Sequence, residues 1–452
     1  MRHASRFMRT IGVALVLAAA APTSAVGMPT RHIDRHPHPF AEDASRAIEL
    51  RVTLGRLLGE HAFLLMEAMR ADDDERAVFQ SALDENSTEL SGAISGIYGD
   101  AAGGRFSDLW DQHVSLLLDY GTAARDADTE AVRAARSGLS EYMTELGRML
   151  AELNPSLDPV QEARALQAHI DQITAFSEGD YADAYASHRM AFSHMFELGD
   201  HVALEIVRQY PERFVDGPIA FSPRSDLQLA LDHLLSEHMV LAAEAMRAGV
   251  REAPEFEAAS ASLDENTEDL ANAIAGVYGS EAGVQFRDVW REHTAAYLAF
   301  VDALGKGDEA NRQKSLSRLH SYHERIAQFL AAANPMLDAA AVSNLIRRHV
   351  QALITQAEAT AADDAARAVV ATRDGYQGTF EVGAALADAI AQQFPDRFRD
   401  LRELPPTDRV TESGTHAISL QMMAALLLTI TVWLVLTVRV RAGRSARTSA
   451  RQ

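Results

Sequence analysis

The chain of 452 residues contains no cysteine. That absence excludes disulfides, thiolate metal ligands and a cysteine nucleophile, so stability rests on packing and any metal must be held by nitrogen or oxygen. Lysine is almost missing too: Lys306 and Lys314 are the only two among 42 basic residues, a lean toward arginine and alanine expected of a GC-rich bacterial genome. No Gly-x-Ser-x-Gly, phosphate loop, dinucleotide fingerprint or His-Glu-x-x-His occurs, which removes support for the common hydrolase, nucleotide-binding and zinc-protease chemistries. No nucleophile or acid–base pair stands out, so an enzyme is not the expected class. Strand-like alternation is absent as well, and the apolar residues recur at helical spacing.

What the chain has in excess is acid. Asp and Glu number 64 and the formal charge is −22; the body is more acidic still once the arginines of the two ends are set aside. Such a field repels nucleic acid and anionic lipid headgroups and concentrates cations, so a metal or a basic partner is expected and a polyanion is not.

The ends read as targeting segments. Arg2, Arg6 and Arg9 precede an apolar stretch, Thr10 to Ala21, and the small residues of Pro22-Thr23-Ser24-Ala25, which is the pattern of a signal peptide over residues 1–25. Residues 26–42 carry His32, His36 and His38, expected to be a solvated tail. Ala417 to Val438 is an uncharged run, long enough at about 1.5 Å per residue to cross a hydrocarbon core of about 30 Å. The tail 439–452 holds five arginines and no acid, which places it in the cytoplasm and the amino-terminal body outside. A single-pass protein of the cell membrane is expected, with residues 401–416, including Pro405-Pro406, as a stalk.

Between the ends the chain repeats itself. Leu57-Leu58-Gly59-Glu60-His61 returns as Leu234-Leu235-Ser236-Glu237-His238, Leu83-Asp84-Glu85-Asn86 as Leu263-Asp264-Glu265-Asn266, and Trp110-Asp111-Gln112-His113 as Trp290-Arg291-Glu292-His293. The register runs on through Asn154-Pro155 and Asn334-Pro335, His169 and His349, and Gln209-Tyr210-Pro211-Glu212-Arg213-Phe214 beside Gln393-Phe394-Pro395-Asp396-Arg397-Phe398. The expected fold is all-α: two tandem antiparallel bundles of about six helices each, over 43–216 and 225–400, joined by a linker of turn-forming residues at 215–224. In the first repeat the breaks give helices over 43–71, 75–98, 101–125, 128–152, 158–178 and 180–209.

Spacing by three and four puts His61 among Leu54, Leu57, Leu58, Leu64 and Leu65, and His238 among Leu231, Leu234, Leu235 and Leu241. His113 shares a face with Trp110 and Leu117, His293 with Trp290 and Tyr297, His169 with Leu166, Ile170 and Ile173, and His349 with Leu345, Ile346 and Leu353. His194 is a possible fourth in the first repeat. An unpaired imidazole in an apolar core costs about 1–3 kcal/mol, so these rings must be hydrogen-bonded or ligated. Asn86 and Asn266 lie on the inner stripe of the second helix of each repeat, where an amide can bond an imidazole or orient a ligating one. The expected metal set is therefore His61, His113, His169 and His194 with His238, His293 and His349, and Asn86 and Asn266 are expected behind them. Imidazole-only ligation suits copper, zinc or iron, and two facing rings suit haem. Gly378 stands where His194 would recur, so the second repeat has one ligand fewer unless His323 replaces it. Met66, Met69, Met190 and Met195 are expected as core filling rather than soft ligands.

Taken in order, Leu-x-Glu-His, Leu-Asp-Glu-Asn, Ala-x-x-x-x-Tyr-Gly, Trp-x-x-His and Gln-x-Pro-x-Arg-Phe resemble secreted bacterial tandem helical repeats of the kind found in copper amine oxidase N-terminal-domain-containing proteins. The resemblance covers nearly all of both repeats. Ala191-Phe192-Ser193-His194-Met195 nearly matches that pattern's last helix, and Gly375-Tyr376-Gln377-Gly378-Thr379 departs from it. It implies a helical fold and a histidine set, not a reaction. Two functions stand as expectations: a membrane-anchored extracytoplasmic protein binding a transition metal or haem, and a non-catalytic ectodomain that docks another envelope protein and keeps its histidines as a buried polar network.

Overall fold

Asn-Pro, Tyr-Gly and aspartate-led turns divide the chain into helices at nearly the positions their chemistry dictates. A computed structural model describes residues 47–399 apart from Asp72 and Gly179. The expected signal peptide, the histidine-bearing segment 26–42, the stalk, the membrane helix and the basic tail lie outside the described residues. Among those described there is no strand, and no helix is long and apolar enough to cross a membrane.

The first six helices are α1 (Ala47–Arg70), α2 (Asp73–Tyr98), α3 (Asp100–Arg125), α4 (Thr129–Leu153), α5 (Pro159–Glu178) and α6 (Tyr181–Gln209). The second six are α7 (Pro223–Val250), α8 (Phe256–Tyr278), α9 (Ser280–Gly305), α10 (Glu309–Ala333), α11 (Ala339–Ala361) and α12 (Ala365–Gln393). Gly99 and Gly279 turn the chain between α2 and α3 and between α8 and α9 in a single residue, at φ of 88° and 94°, a conformation that penalises any Cβ. Asp128, Asp180, Asp308, Asp338 and Asp364 cap the helices that follow them by accepting backbone N–H bonds. Asn154 and Asn334 each accept from the backbone N–H two residues on, of Ser156 and Met336, so the Asn-Pro pairs build the turn as well as stopping the helix.

Helices α1 to α6 pack in sequence and close with α6 against α1; α7 to α12 do the same, with α12 against α7. The closing motif of each repeat explains itself here. Tyr98 donates to Gln209 and Tyr278 to Gln393, at 2.8 Å in both. Arg213 donates to the Ile97 and Gly96 carbonyls, and Arg397 to those of Val277 and Gly276, satisfying the carboxyl ends of α2 and α8.

The larger apolar cluster runs through both halves, and a smaller one joins the first half to the 215–224 segment. The expected linker at 215–224 is folded into that body. Asp216 accepts from the Ala47 and Ile48 N–H groups at the start of α1, Ala220 and Phe221 are buried in a 3-10 turn, and Ser222 caps α7 through a reciprocal box with Ser225. Ion pairs bind the seam as well. Arg51, fully buried, is gripped by Asp200 and Asp226; Arg247 meets Glu67 at 3.1 Å, and His188 meets Glu244 at 3.2 Å. Burial works against the Arg51 charge, but the two aspartates outweigh it and raise its pKa above the ordinary value.

Gly199 on α6 shows how tightly α1 and α6 are pressed together. A Cβ there would lie 2.9 Å from the Gly55 nitrogen and 3.0 Å from the Leu54 carbonyl carbon, backbone that cannot swing aside. Gly199→Ala is expected to destabilise the protein by about 1–3 kcal/mol. Gly104→Ala, on an exposed helix face with no neighbour within 4 Å, is expected to stabilise it by up to about 1 kcal/mol. Denaturant melts of the two variants check this, and an equal response from both contradicts the close approach.

Candidate metal centre

Each repeat brings three imidazoles into its core from its first, third and fifth helices. In the first, His61 on α1 and His113 on α3 face one another Nε2 to Nε2 at 3.2 Å, and the His169 ring on α5 lies 6.1 Å from His61 between centroids. In the second, His238 on α7 and His293 on α9 face at 3.3 Å, and His349 on α11 stands 5.5 Å from His238 and 6.5 Å from His293. Here one nitrogen from each of the three rings falls within 4.8 Å of the other two, so the trio could hold a metal ion. Trp110 and Trp290 flank the pairs, Tyr142 stacks on His113 at 4.7 Å, and Tyr322 stacks on His293 at 4.6 Å. Aromatic walls of this kind hold the rings in place.

A polar network would leave few of these nitrogens idle. Instead Nδ1 of His61, His113, His238 and His293, and both nitrogens of His169 and His349, have no hydrogen-bond partner of good geometry. At about 1–3 kcal/mol for each unsatisfied buried group this is a large cost for a domain worth 5–15 kcal/mol in all. Burial pushes His113 and His293 down to about 3 and His349 to about 4. Burial and then neighbouring histidines hold His61, His169 and His238 well below the ordinary imidazole value. All six rings are thus neutral near pH 7, the protonation state a metal ligand needs. The carbonyls of Trp110 and Trp290 pull the other way on His113 and His293, and Asn266 does so on His238. Each of those pulls favours a proton on the ring.

The asparagines serve differently from the simplest expectation. Asn86 donates through Nδ2 to the Leu57 carbonyl at 3.0 Å and to Glu60 at 2.9 Å. Asn266 donates likewise to Leu234 at 3.0 Å and to Glu237 at 2.7 Å. Their first partner is the glutamate preceding the histidine, and only the amide oxygen is left for the ring. Burial would raise the Glu237 carboxyl, but Arg189, His233 and Asn266 outweigh it and hold it below the usual range.

His194 stands apart from the first trio. Half-buried, it hydrogen-bonds through Nε2 to the Ala165 carbonyl at 3.0 Å and stacks behind His169 at 6.4 Å. That imidazole fills space between α6 and α5 where the second repeat has only Gly378, and α11 lies against α7 more extensively than α5 against α1. The repeat with fewer histidines therefore has the tighter cluster. His323 is bonded through Nδ1 to Ser343 at 2.8 Å and does not join it. Met66, Met69 and Met195 are buried in the core and Met190 is exposed.

No family model, curated protein or solved structure matches the chain. The residues that sequence reasoning passed over are Arg189 and Arg373, which reach the glutamates beside His238 and His61. Each lies five positions before the His194 or Gly378 register, and that recurrence was the available signal.

Because each buried ring has a folded pKa below its ordinary value of 6.5, the unfolded chain takes up protons first. Their contribution is fully present above that value and is lost as pH falls toward 4 and 3, at up to about 1.4 kcal/mol per pH unit for each ring. The melting temperature of metal-free full-length protein is expected to fall steeply between about pH 7 and 5, and His349→Gln to lessen the slope. A flat profile over that interval contradicts the neutral, buried assignment.

Proposed function

We propose that this is an extracytoplasmic, membrane-anchored protein that binds a transition metal ion through the inward histidines of its helical repeats, His238, His293 and His349 foremost and His61, His113 and His169 in the first repeat. The single observation that carries it is the pair of Nε2 atoms held 3.2 or 3.3 Å apart in a core without other partners. A tetrahedral ion with metal–nitrogen bonds of about 2.0–2.1 Å separates its ligand nitrogens by about 3.3–3.4 Å, so each pair has the spacing of one edge of such a site. A proton held on Nδ1 by the Trp290 carbonyl or the Asn266 oxygen would leave the Nε2 lone pairs turned inward, the usual arrangement behind a ligating histidine.

Three neutral imidazoles with no carboxylate or thiolate suit copper, zinc or iron as an ion. Haem fits less well. Axial imidazoles on opposite faces of a macrocycle are separated by about 4 Å at their nitrogens with a plane between them, and here the rings touch one another. The extracytoplasmic placement rests on the amino-terminal and carboxyl-terminal segments of the sequence, and the acidic body would gather cations near the sites.

Full-length protein stripped with a chelator and titrated with copper or zinc is expected to take up metal at the second repeat first, and to melt higher when loaded. At a free metal concentration a hundred times the dissociation constant, the gain is about 2.7 kcal/mol. His349→Ala is expected to weaken that site by more than the roughly 10–100-fold that outer-layer losses cost. Protein whose melting is unmoved by either metal supports the docking ectodomain in place of this function.

A further inference from the structure

Behind each histidine pair stands a salt bridge that comes from the other repeat. Arg373 on α12 donates through Nε to Glu60 at 2.9 Å and also binds Glu85 on α2. Arg189 on α6 donates through Nε and a terminal nitrogen to both oxygens of Glu237 at 3.1 Å, and also binds Glu265 and Asp269 on α8. The two arrangements correspond part for part: the arginines occupy matching places on the last helices, Glu60 matches Glu237, and Glu85 matches Glu265. Arg373 is 313 residues from Glu60 in the chain. The repeated Glu-His and Glu-Asn motifs are thus the two ends of a grip that each repeat exerts on its partner.

We propose that Arg373 and Arg189 are positioning residues, each acting from one repeat through a glutamate and an asparagine on a histidine of the other, so that the two metal sites are built in trans. This rests on the metal-binding function above. The relay follows from donor and acceptor geometry. The arginine fixes the carboxylate, Glu60 being fully buried and Glu237 nearly so. A fixed carboxylate and a backbone carbonyl together hold the asparagine Nδ2, and an amide held by its nitrogen has only its oxygen left to turn elsewhere. That oxygen and the histidine Nδ1 are the two atoms each pair leaves over: Asn86 with His61, and Asn266 with His238. Turned toward the ring, that oxygen would accept from Nδ1, select the Nδ1–H tautomer and leave the Nε2 lone pair toward the facing ring. Without the arginine, Glu60 keeps among the described residues only Arg56, at 3.9 Å, as a cation, and the carboxylate that orients the amide is no longer fixed.

The test uses full-length protein in two backgrounds and Co(II) absorption as the probe. His238→Ala leaves the first-repeat site, and His61→Ala leaves the second. Arg373→Gln, a change in the second repeat, is expected to weaken Co(II) binding about 10–100-fold in the first background and to leave the second within about twofold. Arg189→Gln is expected to do the reverse, and Arg373→Lys to recover part of the loss. Equal weakening in both backgrounds, or an effect on the repeat that carries the arginine, overturns the proposal. Should Arg373→Gln not fold, Glu60→Gln takes its place with the same expectation.

A readout free of metal separates this proposal from the function it rests on. Imidazole nitrogen chemical shifts of metal-free protein are expected to show the Nδ1–H tautomer at His61 and His238, and Arg373→Gln to mix tautomers at His61 alone. If wild-type protein binds no Co(II), the metal function fails while the tautomer comparison still decides the relay; unchanged tautomers in the variant refute it.

Discussion

Two buried imidazole nitrogens facing each other across about a hydrogen-bond length form the constraint on which the rest of this protein depends. If both carry lone pairs, something positive must lie between them; if one carries a proton, its other nitrogen is left bare in an apolar core. Either way the interior cannot be treated as oil with a few tolerated polar atoms. The Trp and Tyr walls help bury the pair, and burial keeps the rings neutral. The layers outside then decide which nitrogen of each ring faces in.

The repeated motifs divide into two kinds of work. Tyr98 with Gln209, Arg213 with the end of α2, and their counterparts Tyr278, Gln393 and Arg397 close the bundle and satisfy helix ends. The Glu-His, Leu-Asp-Glu-Asn and Trp-x-x-His motifs instead furnish and surround the buried rings. Recurrence in two copies therefore does not of itself mark a binding residue. What distinguishes the second kind is that some of its buried atoms, the histidine Nδ1 and the asparagine Oδ1 among them, have no hydrogen-bond partner among the described residues.

Most of the helical architecture was legible in the sequence because its signals are local. Gly99 can only turn at positive φ, Asn154-Pro155 ends a helix by chemistry contained in two residues, and three-and-four spacing says which face of α1 bears His61 inward. The same spacing could not say which ring His61 would meet, since that depends on packing among α1, α3 and α5. Nor could it show that the second cluster, lacking the counterpart of His194, draws closer together. The asparagines were placed correctly on the inner stripe, but their amide nitrogens prefer a carboxylate to an imidazole, a choice that only the buried position of Glu60 and Glu237 makes evident. Arg189 and Arg373 were least legible. They lie on partly exposed helix faces, where an arginine among acids looks like ordinary surface, and their partners belong to the other half of the chain.

The crossed arginines also bear on ancestry. A single ancestral repeat standing alone would have had a buried glutamate beside its histidine and an arginine on its last helix reaching outward, a pairing that two identical copies satisfy at once by exchanging arms. Once the copies were fused and each came to rely on the other's arm, losing either half would strand a buried carboxylate in the survivor. The repeats can differ, as Gly378 does from His194, but either half by itself would leave its buried glutamate without the arginine that now meets it.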